Sequence, residues 1–461
     1  MATKQSQQRE VLKSDLQGAF NLLSEYVNLG DVNRLAPLRG NAVYTNGVAL
    51  WMMVMQRLTP LGTLESSVKQ FLHSDAKLLP SNNKRVTGKT LSSNTAAFSK
   101  ARKRLPLDCA YWLLDHVASS IIQQYQPASP GLQFAVIDGT TLSLAPTGAL
   151  RKAFPAAENQ HGPGLWPIVN IAVAHDLKSG CAMRPEFGPM YGEQAISETR
   201  LACQCVERLP KHYAVMADAG FGIFFFAYQC WKHHHPFLFR LTKSRWRALV
   251  KQAVLESRGN GRKTYRLTWR PSPHDRASSP ELPADAVLEV RLHEYKVHSN
   301  LTLHLVTDLA QSAASLAQEY LHRGDVEIDI RNLKIVMDLE HLRAKSLDIF
   351  TKELIASLTA YNLVIQFRRQ AAQLAKVEPR RMSFKRTWTT FTIFLLNQPA
   401  TDHMDEWEAR YAQALRIARQ DKLPHRPDRQ YPREAYSRRP KAKRFKDRKT
   451  PPLSETEKLQ I

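Results

Sequence analysis

The stretch Tyr320-Leu-His-Arg323-Gly-Asp-Val-Glu327-Ile-Asp-Ile-Arg331-Asn-Leu-Lys334 distributes its charges with the period of a helix. At about 100° per residue, Tyr320, Arg323, Glu327, Arg331 and Lys334 fall within a sector of roughly 80°, while Asp325 and Asp329 fall on the opposite side. One face therefore presents a single carboxylate among three cations and a phenol. Glu327 on such a face can ligate Mg²⁺ while Arg323, Arg331 and Lys334 neutralise phosphates. A salt-bridged solvent face would show the same pattern. Two further acids bear on the choice. Asp138 follows the apolar run Phe134-Ala-Val-Ile137 and precedes Gly139; Asp218 follows Tyr213 to Ala217 and precedes Ala219-Gly220-Phe221-Gly222. An acid just past a buried strand and followed by glycine is held at a sheet edge where a ligand can approach, although each is also ordinary turn chemistry. Mg²⁺ takes hard oxygen ligands and few of them from protein, leaving room for phosphate and water. Two strand-end aspartates and one helical glutamate suffice for a two-metal site performing in-line phosphoryl transfer.

Positioning these acids requires a sheet with helices on it. Gln133 to Leu144, Trp166 to His175 and Gly180 to Gly188 read as three consecutive antiparallel strands. Glu193 to Val206 has helical spacing, Tyr213 to Ala217 is a short buried strand, Ile223 to Lys232 an apolar helix and Phe237 to Leu241 another strand. The order β-β-β-α-β-α-β describes a mixed α/β layer. Lys243 to Asp308, with alternating polar and apolar residues around Arg270-Pro-Ser-Pro273, reads as an all-β insertion. Residues 1 to about 125 read as helical, with Leu12, Leu16, Phe20, Leu23 and Val27 at spacings of three to four. Within them, Lys77 to Leu107 holds eight Lys or Arg and no acid, and Ser92-Ser93-Asn94 can cap a helix through Arg104. This is a DNA-docking element or a solvated basic face.

The chain has 461 residues, 65 Lys plus Arg against 42 Asp plus Glu, and a formal net charge of +23. Its length allows two to four domains, and its composition excludes fibrous and wholly disordered classes. A folded chain this basic points to a polyanionic partner. No run approaches the roughly 18 apolar residues of a membrane span, and the polar N-terminus lacks a signal core. Five scattered cysteines fit reduced thiols in a cytosol. From Arg416 to Lys449 there are 14 Lys or Arg and 4 Asp or Glu, with four prolines. Such a segment does not fold alone, and nucleic acid could order it.

Tyr320, Arg323, Glu327 and Lys334 match the spacing Y-x2-R-x3-E-x6-K at all four positions. With Asp138-Gly139-Thr140, Asp218-Ala-Gly220-Phe221 and Ala360-Tyr-Asn-Leu-Val364, the sequence resembles the DDE transposases of bacterial insertion sequences, over about residues 12 to 450. The resemblance implies a ribonuclease-H-like catalytic core with an all-β insertion, preceded by a helical DNA-binding region. It implies domains at 1–125 (helical, DNA-binding), 126–243 (first part of the core), 244–308 (β-rich insertion), 309–373 (core helices carrying Glu327) and 374–461 (helical, then a basic tail). It implies a transposase in which Asp138, Asp218 and Glu327 hold two Mg²⁺ ions, with Mn²⁺ as a substitute. These ions cut double-stranded DNA at inverted-repeat ends and join the freed 3′-hydroxyl to target DNA. Tyr320, Arg323, Arg331 and Lys334 become DNA contacts, the assembly a dimer in the synaptic complex, and the location the bacterial cytoplasm at the nucleoid. A transposase-derived DNA-binding protein without chemistry, or a structure-selective nuclease on the same fold, are the rival readings. One departure is Gly324, where the family often carries an aromatic residue.

Overall fold

The computed structural model describes residues 29–38, 42–59, 62–74, 83–124, 132–159, 162–259, 261–299, 301–396 and 404–424. The expected helix through Leu12 to Val27, Lys77 and the basic tail past Pro424 lie outside them. The described residues up to Lys422 form one compact unit.

Nine strands make one sheet: β1 (Gln133–Ser143), β2 (Ile168–Asp176), β3 (Glu186–Pro189), β4 (Tyr213–Ala217), β5 (Phe237–Arg240), β6 (Val254–Gly259), β7 (Arg262–Trp269), β8 (Leu288–His298) and β9 (Leu301–Thr307). Their spatial order is β3-β2-β1-β4-β5-β9-β8-β7-β6. β1, β2 and β3 pair antiparallel, and β4 and β5 run parallel to β1. This is the mixed sheet of a ribonuclease-H-like core. β9 joins antiparallel to β5, so the insertion continues the core sheet. It is not purely β. Thr242 caps a helix at Lys243–Val250, and Ser272 and Asp275 form a capping box on Pro273–Ser278.

The helices that build the core and its site are α1 (Asn46–Leu58), α2 (Leu107–Gln124), α3 (Glu198–Arg208), α4 (Phe224–Lys232), α5 (Ala313–Leu321), α6 (Asp325–Arg331) and α7 (Leu347–Ala375). Alternation along the strands sorts them onto two faces. Phe134 and Val136 of β1 and Ala214 and Met216 of β4 share one apolar cluster with Leu316, Ala317 and Tyr320 of α5 and Val326 of α6. The odd-numbered Ala135, Ile137, Tyr213, Val215 and Ala217 face α3, α4 and α7.

α7 is buried on all sides over most of its length, as a helix at the centre of a large core must be. Several of its buried polar residues are matched, although Gln366 Oε1 and Arg368 Nε have no hydrogen-bond partner among the described residues. Glu353 pairs with buried Arg102, Lys352 Nζ reaches Asp348 Oδ2 at 2.7 Å and the carbonyls of Arg102 and Lys103 at 3.2 Å, and Asn362 clamps both backbone groups of Ala182 at 2.8 Å. Leu50, Leu113 and Val117 of the N-terminal helices belong to the same core as the sheet. The basic helix expected through Arg104 forms at Ala96–Arg104, but Arg102 is spent on Glu353 and Arg104 donates to the Tyr44 carbonyl. Lys84, Arg85, Lys89, Lys100 and Lys103 stay exposed.

Candidate active site

The register of the parallel pair brings the two aspartates together. Gln133 lies opposite Tyr213 and Val136 opposite Met216, a constant offset of 80 residues. The separation of Asp138 and Asp218 is also 80, so continuing the ladder two places sets them side by side, roughly 5 Å apart on adjacent strands. Both continue the even-numbered face toward α5 and α6. Asp138 is not past the end of its strand, as the sequence suggested. β1 runs on to Ser143, and it is β4 that stops, at Ala217. The sheet edge is real, but the neighbouring strand makes it.

Each aspartate uses one oxygen locally and turns the other outward. Asp138 Oδ1 accepts from the Gly139 N–H at 2.9 Å; Asp218 Oδ1 accepts from Gly220 at 2.7 Å and Phe221 at 3.4 Å. Their Oδ2 atoms meet Arg323 Nη2 at 3.1 and 3.7 Å, and Glu327 Oε1 meets Nη1 at 2.5 Å. One guanidinium thus stands among all three acids. Burial raises the Asp138 pKa, against the pull of Arg323 and the Gly139 N–H and with the repulsion of Asp218 and Glu327. Burial disfavours the Arg323 charge, but Asp138 and its other partners outweigh it and raise its pKa. Among the described residues no three His, Cys, Asp or Glu side chains close on one point as a finished metal cage; these three are spread around the guanidinium. The donor set nevertheless fits a hard divalent cation. Three carboxylates converge on one positive charge, at an open sheet end, with most of the coordination sphere left to water and substrate.

The signature segment is not one helix. α5 ends at Leu321, His322–Gly324 is a 3₁₀ turn, α6 covers Asp325–Arg331, and Asn332–Val336 is π-helical. Arg323 and Glu327 still share a side. Gly324 sits in the turn, where an interior-helix penalty does not apply, and open space surrounds the position of a Cβ. Tyr320 is buried, and its hydroxyl donates to the Ala217 carbonyl at 3.2 Å, bracing the strand end before Asp218. Arg331 is exposed on α6. Lys334 pairs with Glu340 at 3.2 Å and meets none of the three acids. The opposite side of the segment is not solvent. Asp329 is fully buried and bidentate to Arg380, at 3.1 and 3.0 Å, and Arg380 Nε meets Asp325 at 3.1 Å.

Two residues here have no signature in the sequence. Arg245 Nη1 donates to the Ala219 carbonyl at 2.6 Å and so pins the loop after Asp218. Glu198, first residue of α3, lies against Gly139, where an added Cβ would fall 2.2 Å from its Oε1. Helical periodicity places Glu198 on a helix but gives no hint that its end meets β1.

One carboxylate on β1, one just past the end of β4 and one on α6 surround a single guanidinium on a ribonuclease-H-like sheet. Residues 129–363 match the family described as Transposase DDE domain, just over half the chain and including Asp138, Asp218 and the whole signature segment. The chain belongs to that family, whose members are nuclease and strand-transferase enzymes that act on DNA with a divalent metal. No curated protein matches it. Among the described residues no helix is long and apolar enough to cross a membrane.

Proposed function

We propose that this chain is an insertion-sequence transposase that cuts its own transposon ends and joins the freed 3′-hydroxyl to target DNA. The observation that carries the reading is the single guanidinium shared by Asp138, Asp218 and Glu327 at the end of β4. Asp138, Asp218 and Glu327 would hold two Mg²⁺ ions, with Mn²⁺ as substitute. Bound there, the ions would activate a water or 3′-hydroxyl and stabilise the leaving oxygen. Arg323 turns from the acids to the scissile phosphate, and its buried Nε, which has no partner among the described residues, is a further donor for it. Tyr320 holds the strand end that presents Asp218. Arg331 and Lys334, further along the same segment, meet flanking phosphates.

A basic cleft of about 710 Å³ in the insertion supports contacts to the phosphate backbone of DNA. Arg240, Lys243, Arg258, Arg262, Lys263 and Lys296 line it, with Glu294 paired to Lys263. Each phosphate neutralised there adds to the salt dependence of binding. In this reading residues 1–125 add DNA contacts, 126–243 and 309–373 form the catalytic core around the 244–308 insertion, and the basic end of 374–461 wraps DNA. Two copies synapse two ends, in the bacterial cytoplasm at the nucleoid.

The test is nicking, in Mg²⁺, of duplexes carrying the inverted repeats that flank the gene. Asp138→Asn, Asp218→Asn and Glu327→Gln keep shape but remove a ligand charge. Each is expected to abolish nicking and joining while DNA affinity stays within about twofold. Normal nicking by any one removes that residue from the site. Nicking without joining by the unaltered chain favours a nuclease instead.

A further inference from the structure

Glu198 is a half-buried acid with no cation of its own. Among the described residues no Lys, Arg or His forms an ion pair with it; Arg200, two places on, is tied to Glu281 and lies over the Phe225 ring. Capping does not account for it, because the hydroxyl of Ser197 already caps α3 by accepting from the Arg200 N–H at 3.3 Å. Its neighbours are acids. Burial raises its pKa, and the charges of Asp138 and Asp218 raise it further, against the Gly139 N–H and Arg323.

The backbone is shaped to admit this carboxyl. A Cβ on residue 139 would lie 2.2 Å from Glu198 Oε1 and 2.6 Å from its Cδ, so the close approach needs glycine. Because β4 ends at Ala217, β1 has an open flank beside Asp138 and Gly139. Asp138 and Asp218 border that gap from one face and Glu198 from the other, near enough for their charges to act on its carboxyl though the three do not close on one point. A further carboxylate there, which no cation pairs with directly, is costly in the free protein. It is accounted for if a cation is drawn to the same place.

We propose that Glu198 is a fourth acid of the metal site, holding a divalent cation together with Asp138 and Asp218, directly or through a cation-bound water. The inference rests on the acid-triad reading above and adds a residue to it.

The experiment is titration of the full-length chain with Mn²⁺ alone, followed calorimetrically, beside thermal melts without divalent ions. Glu198→Gln should weaken Mn²⁺ binding roughly 10- to 100-fold, the usual effect of removing a supporting metal contact. Its melting temperature should hold or rise, because a repulsive charge has gone. Gly139→Ala gives a second, independent arm. The atom its methyl meets is the end of a flexible side chain, so the fold should survive while Glu198 is pushed aside. It should reproduce the Mn²⁺ defect, and the double variant should be no worse than either single one. The Mn²⁺ concentration for half-maximal nicking should rise by the same factor. Unchanged Mn²⁺ affinity in Glu198→Gln, or additive defects in the double variant, overturns the proposal. Asp138→Asn separates the two levels. If it abolishes Mn²⁺ binding while Glu198→Gln does not, only the role of Glu198 falls. If Asp138→Asn binds Mn²⁺ normally, the acid-triad reading itself falls.

Discussion

Replacing Arg323 by alanine sets two of its expected roles against each other. In the structure its guanidinium stands where the acids would otherwise face one another, so an entering divalent ion has to displace it. The Asp138 pair is the stronger contact, with side chains only 12% and 18% exposed. Two unit charges about 4 Å apart at an effective dielectric near 20 attract by about 4 kcal/mol. Asp218 and Glu327 are 42% and 64% exposed, and such pairs add under about 1 kcal/mol each. A displaced arginine recovers hydration, so about half of the total opposes the ion, roughly 2 kcal/mol. Every 1.4 kcal/mol or so is tenfold in affinity. Arg323→Ala should therefore bind Mn²⁺ roughly 10- to 100-fold more tightly than the unaltered chain. Without divalent ions it should melt at a lower temperature, since three acids then lack a counter-charge, and saturating Mn²⁺ should raise its melting point by more. Nicking should nevertheless fall on the order of 100-fold, because the scissile phosphate loses the group that places it. Calorimetric Mn²⁺ titration and single-turnover nicking on the same preparations read both effects. Weaker Mn²⁺ binding in Arg323→Ala, or nicking at the unaltered rate, would refute the reasoning.

Asp329→Ala takes a fully buried, bidentate carboxylate from half-buried Arg380, which keeps Asp325, and should cost about 2–3 kcal/mol, seen as a drop of several degrees in a thermal melt. Asp325→Ala, at a site 25% exposed and with one contact to Arg380 Nε, should cost about 1 kcal/mol. Burial pushes the His175 pKa down to about 4, with Asp329 opposing the shift and Arg380 adding to it. The unfolded chain, near pH 6.5, then binds more protons, so stability should fall from pH 6.5 toward 4 by up to about 3 kcal/mol. His175→Phe should flatten that part of the curve in urea unfolding at pH 7 and 4.5.

Much of the catalytic core is legible in local pattern. Tyr213–Ala217 forms as a strand over its expected residues because five apolar residues between turn signals have no other use. The offset of 80 between the two aspartates is visible in the sequence, but it gains meaning only once β1 and β4 are known to pair in that register. The signature spacing places Arg323 and Glu327 on one side even though the helix breaks twice, because a 3₁₀ turn of three residues rotates the later side chains only modestly. What periodicity does not carry is the partner on the other side. Asp329 looks like a solvent acid until Arg380, distant in sequence, is folded against it. Tyr320 looks like a phosphate contact until the end of β4 is brought to its hydroxyl. Glu198 and Arg245 act through close approaches of loops and helix ends, which leave no period to read.

The burial of α7 also fixes an order of events during synthesis. This helix fills the centre that the N-terminal helices and the sheet share, and it leaves the ribosome more than 200 residues after Asp138. At roughly 5–20 residues per second, the nascent chain spends about ten seconds or more with the apolar faces of α1, α2 and β1 uncovered. A product truncated before Leu347 keeps both aspartates and Glu327 yet lacks the element that closes their core. Shortened copies of this gene that end upstream of α7 should therefore yield chains for holdases and proteases, with no DNA-binding remnant left to compete at the ends.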